Sequence, residues 1–599
     1  MERLAAGNGS PTDWIGHGPG GSYIAPHMHP RLPFLMAVAF CISACPKAPP
    51  PAPPPVPTET QSLNNEVKDL AAQAQALLET QNRLVWDLWT EGKAVNIAAT
   101  YQGKESLFSV ENIRKIDRLR QLTKDPRELR ALTSLQSHFA GEYLARELAE
   151  YNDAIANLEA SLTFSADGRE VRYRDLERLL ANEKSAVKRR ALYSSAVPAI
   201  ERLSQSLRRR EERTVELVKE LGYPSYEAFG AELRQADLDK LGVLAEEILK
   251  ATQEPYRTVM ERLSQHELAL PFSSITRADI PRLFRSREVE DAFPKEEAML
   301  RVHGSLQGLG IDMTEMPNIY IDARDLPRKN PRPLTLPIEV PKDVRLSEKP
   351  ASGVLHQARL LHEVGHALHY GFTREQRFEL ARLGNPTVGE AYAALFEDLL
   401  EDPVWLEEHA GVSGDQRAQY LAASSAHKLF LIRRAAGRLL YQLGLHRQEG
   451  GDAKELYKSI MERTDAIPMK PEDEARYQID QEDFFQSADN FRAWFLAGQL
   501  QGQLKARFGP AWWRSAEAGN FLKNLWANGN ALSAREVAEA IGERGIEPDV
   551  LLLRLGTTLQ VPITLDTKTS EESTPPAPAP APPPPANPPA PSNVPDAGT

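Results

Sequence analysis

LHQARLLHEVGHALH, residues Leu355–His369, combines a helical period with a metal-binding spacing. Leu355, Ala358, Leu361, Gly365 and Leu368 recur at intervals of three and four, which predicts one helix with a small-to-apolar stripe. On that helix His362 and His366 are four residues apart, on nearly the same face and about 6 Å apart along the axis, so both imidazoles can reach one ion. Glu363 projects beside them, and the five residues from His362 to His366 form an H-E-x-x-H motif. A candidate third ligand, Glu390, follows His366 by 24 residues in TVGEAYAALFE (Thr387–Glu397). Asn385-Pro386-Thr387 announces this second helix. Among Val388, Ala391, Ala394 and Leu395, a buried glutamate needs a partner. Glu397 shares the face of Glu390 and reads as an acceptor for a ligand N–H or as half of an ordinary ion pair. His369 reads as support for the ligands or as packing. Two neutral imidazoles and a carboxylate suit a single Zn2+ with a fourth, open position.

Outward from this centre the pattern stays helical. Leu129–Leu162, Tyr173–Leu221 and Leu238–Leu268 carry apolar residues at helical spacing between Glu, Lys and Arg. Turn signals fall at Gly222–Ser225, Asp312–Asn318 and Leu326–Pro341. The exception is PLTLPIEVPKDVRL (Pro333–Leu346), whose β-branched residues and prolines predict edge strands just before the motif helix. Leu334–Val340 reads either as an edge that pairs with an extended peptide or as a cap over the cleft. The fold class is therefore mainly α with a small β element. No 20–50-residue repeat, phosphate loop or sustained heptad seam interrupts it.

The net charge of -12 argues against a basic nucleic-acid-binding surface, so no nucleic-acid partner is expected. The only cysteines, Cys41 and Cys45, exclude an internal disulfide framework and a Cys-ligated zinc site. Of 46 prolines, eight fall in Pro46–Pro57 and twelve in Pro575–Pro595, which predicts extended, unfolded ends around a body of ordinary composition. In Met28–Cys45, Arg31 precedes the apolar run Leu32–Ile42 and small residues close it, as in a secretion signal. That run is short of the roughly 20 residues that cross a bilayer.

Ile42-Ser43-Ala44-Cys45 resembles the lipobox of bacterial lipoproteins, which implies lipidation of Cys45 and a membrane-anchored protein of the cell envelope; an ordinary cleaved signal is the alternative. The expected organisation is residues 1–45 as extension, signal and lipobox, 46–61 as Pro-rich linker, 62–565 as helical body and 566–599 as Pro/Ala-rich tail.

His362–His369 (HEVGHALH), the gap to Glu390 and Val388–Glu397 (VGEAYAALFE) together resemble the helical zinc peptidases of the thimet oligopeptidase and oligoendopeptidase F family. Gly384-Asn385-Pro386 through Glu390-Ala391 is also similar to angiotensin-converting enzyme, and a more diffuse likeness extends through Leu399–Leu406, Phe491–Trp494 and Phe508–Trp526. The resemblance implies a two-lobed helical ellipsoid of the gluzincin type, with zinc deep in a channel that admits short peptides. It implies His362, His366 and Glu390 as zinc ligands, and Glu363 as the base that takes a proton from water and returns it to the leaving amine. One feature departs from the family. Its C-terminal helix supplies a Tyr or His to the developing oxyanion, and the matching Phe484–Phe495 holds neither. Loss of such a donor typically costs about 10²- to 10³-fold in rate. Arg492, Asn490 and Tyr477 are the candidate replacements.

The reading that results is a zinc oligopeptidase or peptidyl-dipeptidase of the envelope. Its alternative is a catalytically weak lipoprotein that binds metal and peptide, and the intact Glu363 favours catalysis.

Overall fold

A computed structural model describes residues 59–448 and 451–565. The stretch read as a secretion signal, Cys45, nearly all of the expected Pro-rich linker and the Pro/Ala-rich tail lie outside these residues. The first helix, Glu59–Glu91, begins inside the stretch expected to be linker, so Glu59–Gln61 belong to the folded body.

Helices dominate, as the three- and four-residue spacing predicts, but the long segments are divided. Leu129–Leu162 breaks at Leu148 into helices Pro126–Glu147 and Ala149–Ser161. Tyr173–Leu221 becomes Leu176–Asn182, Ala186–Ser195 and Val197–Glu220, with Ser185 capping the second and Pro198 opening the third. Leu238–Leu268 turns at Thr252. Between Leu162 and Tyr173 an unforeseen antiparallel hairpin joins β1 (Thr163–Ala166) to β2 (Arg169–Arg172). Its turn residues Asp167 and Gly168 have φ of 50° and 72°, the positive pair that a two-residue hairpin of this twist requires.

The β element beside the motif helix has three strands, β3 (Ile319–Asp322), β4 (Leu334–Glu339) and β5 (Asp343–Ser347), in the order β3-β5-β4. β4 is an edge, as expected. β5 is not: it runs antiparallel to β4 and parallel to β3, so it lies between them. Val344 and Leu346 of β5 are fully buried.

A large apolar core runs from Val67 on the first helix to Ile563 and encloses the motif helix. A second core collects Ile155, Leu176, Leu180, Ile200 and Leu203 from the helices around the hairpin. The motif helix, Val354–Phe372, buries Leu360, Leu361, Val364, Gly365, Ala367 and Leu368. Leu355, assigned to the apolar stripe by its spacing, is instead 61% exposed in the first turn, where the helix has not yet entered the core.

Candidate metal centre

The glutamate helix, Pro386–Glu397, starts where Asn385 accepts from the Thr387 backbone N–H and Pro386 occupies the first turn. It lies against the motif helix so closely that a Cβ on Gly365 would sit 2.6 Å from Ala393 Cα and 2.7 Å from the Tyr392 carbonyl oxygen. Only glycine permits this approach. The approach sets Glu390 opposite the two histidines.

Nε2 of His362 is 3.4 Å from Glu390 Oε2, and Nε2 of His366 is 3.6 Å from Oε1. All the donor atoms of this trio lie within 4.8 Å of one another. A tetrahedral zinc ion with bonds of about 2.0–2.1 Å separates its ligands by about 3.3–3.4 Å. The donor set and its spacing therefore fit Zn2+. The side chains of His362, His366 and Glu390 remain 26%, 16% and 35% exposed, which leaves the centre open to solvent-borne molecules.

Glu397 accepts at 3.1 Å from Nδ1 of His362, the outer partner that orients a ligand imidazole and frees its Nε2. Behind it, Lys428 Nζ is 3.4 Å from Asp398 and Arg554 bridges Asp398 and Glu401 at 2.7 and 3.1 Å, which pins the end of the glutamate helix. Removing Glu397 as Glu397→Ala is expected to weaken zinc affinity about 10- to 100-fold in competition against a chromophoric chelator. An unchanged affinity would mean that the 3.1 Å contact does not orient His362.

Charges in the centre follow from crowding and from one another. Burial works against the charge on Glu390, but the two histidines outweigh it and bring its pKa down to about 2. Burial likewise disfavours charge on His362, yet Glu390 and Glu397 raise its pKa. Burial lowers His366 to about 4, so it is a neutral imidazole at neutral pH. Glu363 is pushed up to about 7, first by burial, with His362 and Thr335 opposing.

Thr335 is the functional contact that the sequence concealed. Its backbone N–H donates to Glu363 Oε2 at 2.7 Å, and its hydroxyl donates to the Glu363 carbonyl at 2.7 Å. Strand β4 thereby fixes one carboxylate oxygen of the candidate base. The bond also reveals the edge: Thr335 turns its backbone N–H away from β5, and Pro333 and Pro337, two residues to either side, turn the same way. Neither proline has an N–H, and the Pro337 carbonyl accepts from Asn82 Nδ2 at 3.1 Å. This edge offers acceptors but no free backbone donor from residue 333 to residue 337.

The remaining expected site residues lie elsewhere in the fold. His369 is fully buried, directs Nε2 to the Gly529 carbonyl at 3.1 Å and stacks on Tyr370, a packing role outside the ligand trio. Arg492 donates to the Arg234 carbonyl at 3.1 Å, beside the start of the glutamate helix. Tyr477 packs with Tyr441, Tyr457 and Met461 in a small separate cluster. Asn490 stands in the first turn of helix Ser487–Phe508, its backbone N–H bonded to Gln486. None of these contacts directs a donor to the ligand trio.

No family model matches the chain, and no curated protein sequence matches it.

Proposed function

We propose that this protein is a zinc peptidase that hydrolyses short peptides. One observation carries the reading: Nε2 of His362, Nε2 of His366 and the Glu390 carboxylate converge at the ligand spacing of a tetrahedral cation, with Glu363 alongside. A bound zinc ion supplies Lewis acidity, polarising a carbonyl and acidifying water. The chain supplies the rest. Glu363, one oxygen tethered by the Thr335 N–H, takes the proton of the attacking water with its other oxygen and returns it to the leaving amine nitrogen. Glu397 keeps the proton of His362 on Nδ1.

Membership of the thimet oligopeptidase and oligoendopeptidase F group, and a two-lobed body with a deep channel, belong to the same proposal; the sequence likeness of His362–His369 and Val388–Glu397 supports it. Lipid anchorage at Cys45 in a bacterial envelope is supported by the Ile42–Cys45 sequence. Among the described residues, no helix is long and apolar enough to cross a membrane.

The second reading, a metal- and peptide-binding protein without efficient turnover, is favoured by the contacts of Arg492 and Tyr477, two of the three candidate oxyanion donors, which lead away from the trio. A quenched fluorescent peptide separates the two. The peptidase reading expects cleavage that a chelator stops and zinc restores. Zinc-dependent peptide binding without cleavage would establish the second reading, and chelator-insensitive cleavage would remove both.

A further inference from the structure

A buried polar relay grips the start of the glutamate helix, one turn before Glu390. Thr387, in the first turn, is fully buried and donates its hydroxyl to Asp489 Oδ1 at 3.1 Å. Asp489, 1% exposed on helix Ser487–Phe508, accepts from Arg234 Nη1 on its other oxygen at 2.8 Å. Arg234, the last residue of helix Tyr226–Arg234, is itself fixed: Nε and Nη2 donate at 2.8 Å to the Phe484 and Asp483 carbonyls. Its own carbonyl accepts from Asn385 Nδ2 and Arg492 Nη1. Asn385 and Thr387, which open the glutamate helix, therefore both lead to Arg234, one through its carbonyl and the other through Asp489. A buried ion pair adds little net stability over apolar side chains of the same volume, so stability alone does not account for this one.

We propose that Asp489 is a positioning residue for the metal centre, and that the bond from Thr387 to it sets the rotation of the glutamate helix and hence the direction of Glu390. Thr387 and Glu390 are three residues apart on one side of that helix, so a turn about its axis moves both. A rotation of about 20° displaces a group at the helix's outer radius of about 5–6 Å by about 2 Å. That is the length of a zinc–ligand bond. Gly365 sets the approach of the two helices at Tyr392 and Ala393; the Thr387–Asp489 bond holds the other end, with Glu390 between the two. The inference rests on the metal-binding half of the reading above and not on peptide hydrolysis.

The test compares the full-length parent with Thr387→Val, Thr387→Ser, Asp489→Asn and the double variant Thr387→Val/Asp489→Asn. Valine keeps the branched shape of threonine without the donor, and serine keeps the donor. Chelator competition measures zinc affinity, and Co2+ in place of zinc reports ligand geometry through its visible absorption. Thr387→Val is expected to bind zinc about 10-fold more weakly and to shift the Co2+ bands, and Thr387→Ser to restore both. Asp489→Asn should also weaken zinc binding, and the double variant should lose no more than the more affected single variant. Parental affinity and bands in Thr387→Val, a loss that serine does not restore, or additive losses in the double variant would overturn the proposal. Unfolding of the metal-free proteins is followed alongside. A zinc loss that tracks a lowered melting temperature, with unchanged Co2+ bands, would assign Thr387 a folding role and overturn the proposal too. These outcomes, with zinc bound by the parent, overturn the inference alone; a parent protein that binds no zinc would overturn the metal-centre reading and the inference with it.

Discussion

Glu363→Gln protein is expected to bind one zinc ion and to cleave peptides about 10²- to 10⁴-fold more slowly than the parent. Glutamine is nearly isosteric, and its carbonyl oxygen can still accept the Thr335 N–H, so the strand–helix junction survives. It cannot take a proton. The three ligand side chains are untouched, and stoichiometric zinc uptake serves as the internal control. Residual activity within a few-fold of the parent would place the base elsewhere and end the role assigned to Glu363.

Gly365→Ala should damage stability and metal binding together. Its methyl group would meet Ala393 Cα at 2.6 Å and the Tyr392 carbonyl oxygen at 2.7 Å, and both are main-chain atoms that no rotamer change can move aside. The helices must separate. Overpacking of this kind typically destabilises by about 1–3 kcal/mol. Separation also withdraws Glu390 from the histidines, so zinc affinity should fall although no ligand has changed. Thermal unfolding and chelator competition measure the two effects. A variant with parental melting and affinity would show that the two helices tolerate a wider spacing than the structure has.

The trio His362, His366 and Glu390 was legible because it rests on two short-range regularities, the four-residue step from His362 to His366 and the placement of Glu390 among the apolar residues of one helix. The helical class was legible for a similar reason. What escaped was decided at long range or without punctuation. Leu148 and Thr252 end helices in ordinary local conformations that neither glycine nor proline announces. The Asp167-Gly168 turn carried a recognised hairpin signal, but its strands are four residues long and lack a run to match. Thr335 meets Glu363 across 28 positions of sequence, and only the register of β4 on β5 turns its N–H toward the helix. Arg492 and Tyr477 looked available as side chains, and their local partners, the Arg234 carbonyl and the Tyr441–Tyr457 cluster, are set by tertiary packing.

The donor-poor edge of β4 has a consequence for the protein in crowded surroundings. An open strand is ordinarily a template on which another polypeptide can continue the sheet, and from there aggregates grow. With proline at 333 and 337 and the intervening amide engaged by Glu363, a foreign strand finds half of its hydrogen-bonding ladder missing. The margin of β4 can thus lie beside the motif helix without inviting neighbours to stack on it.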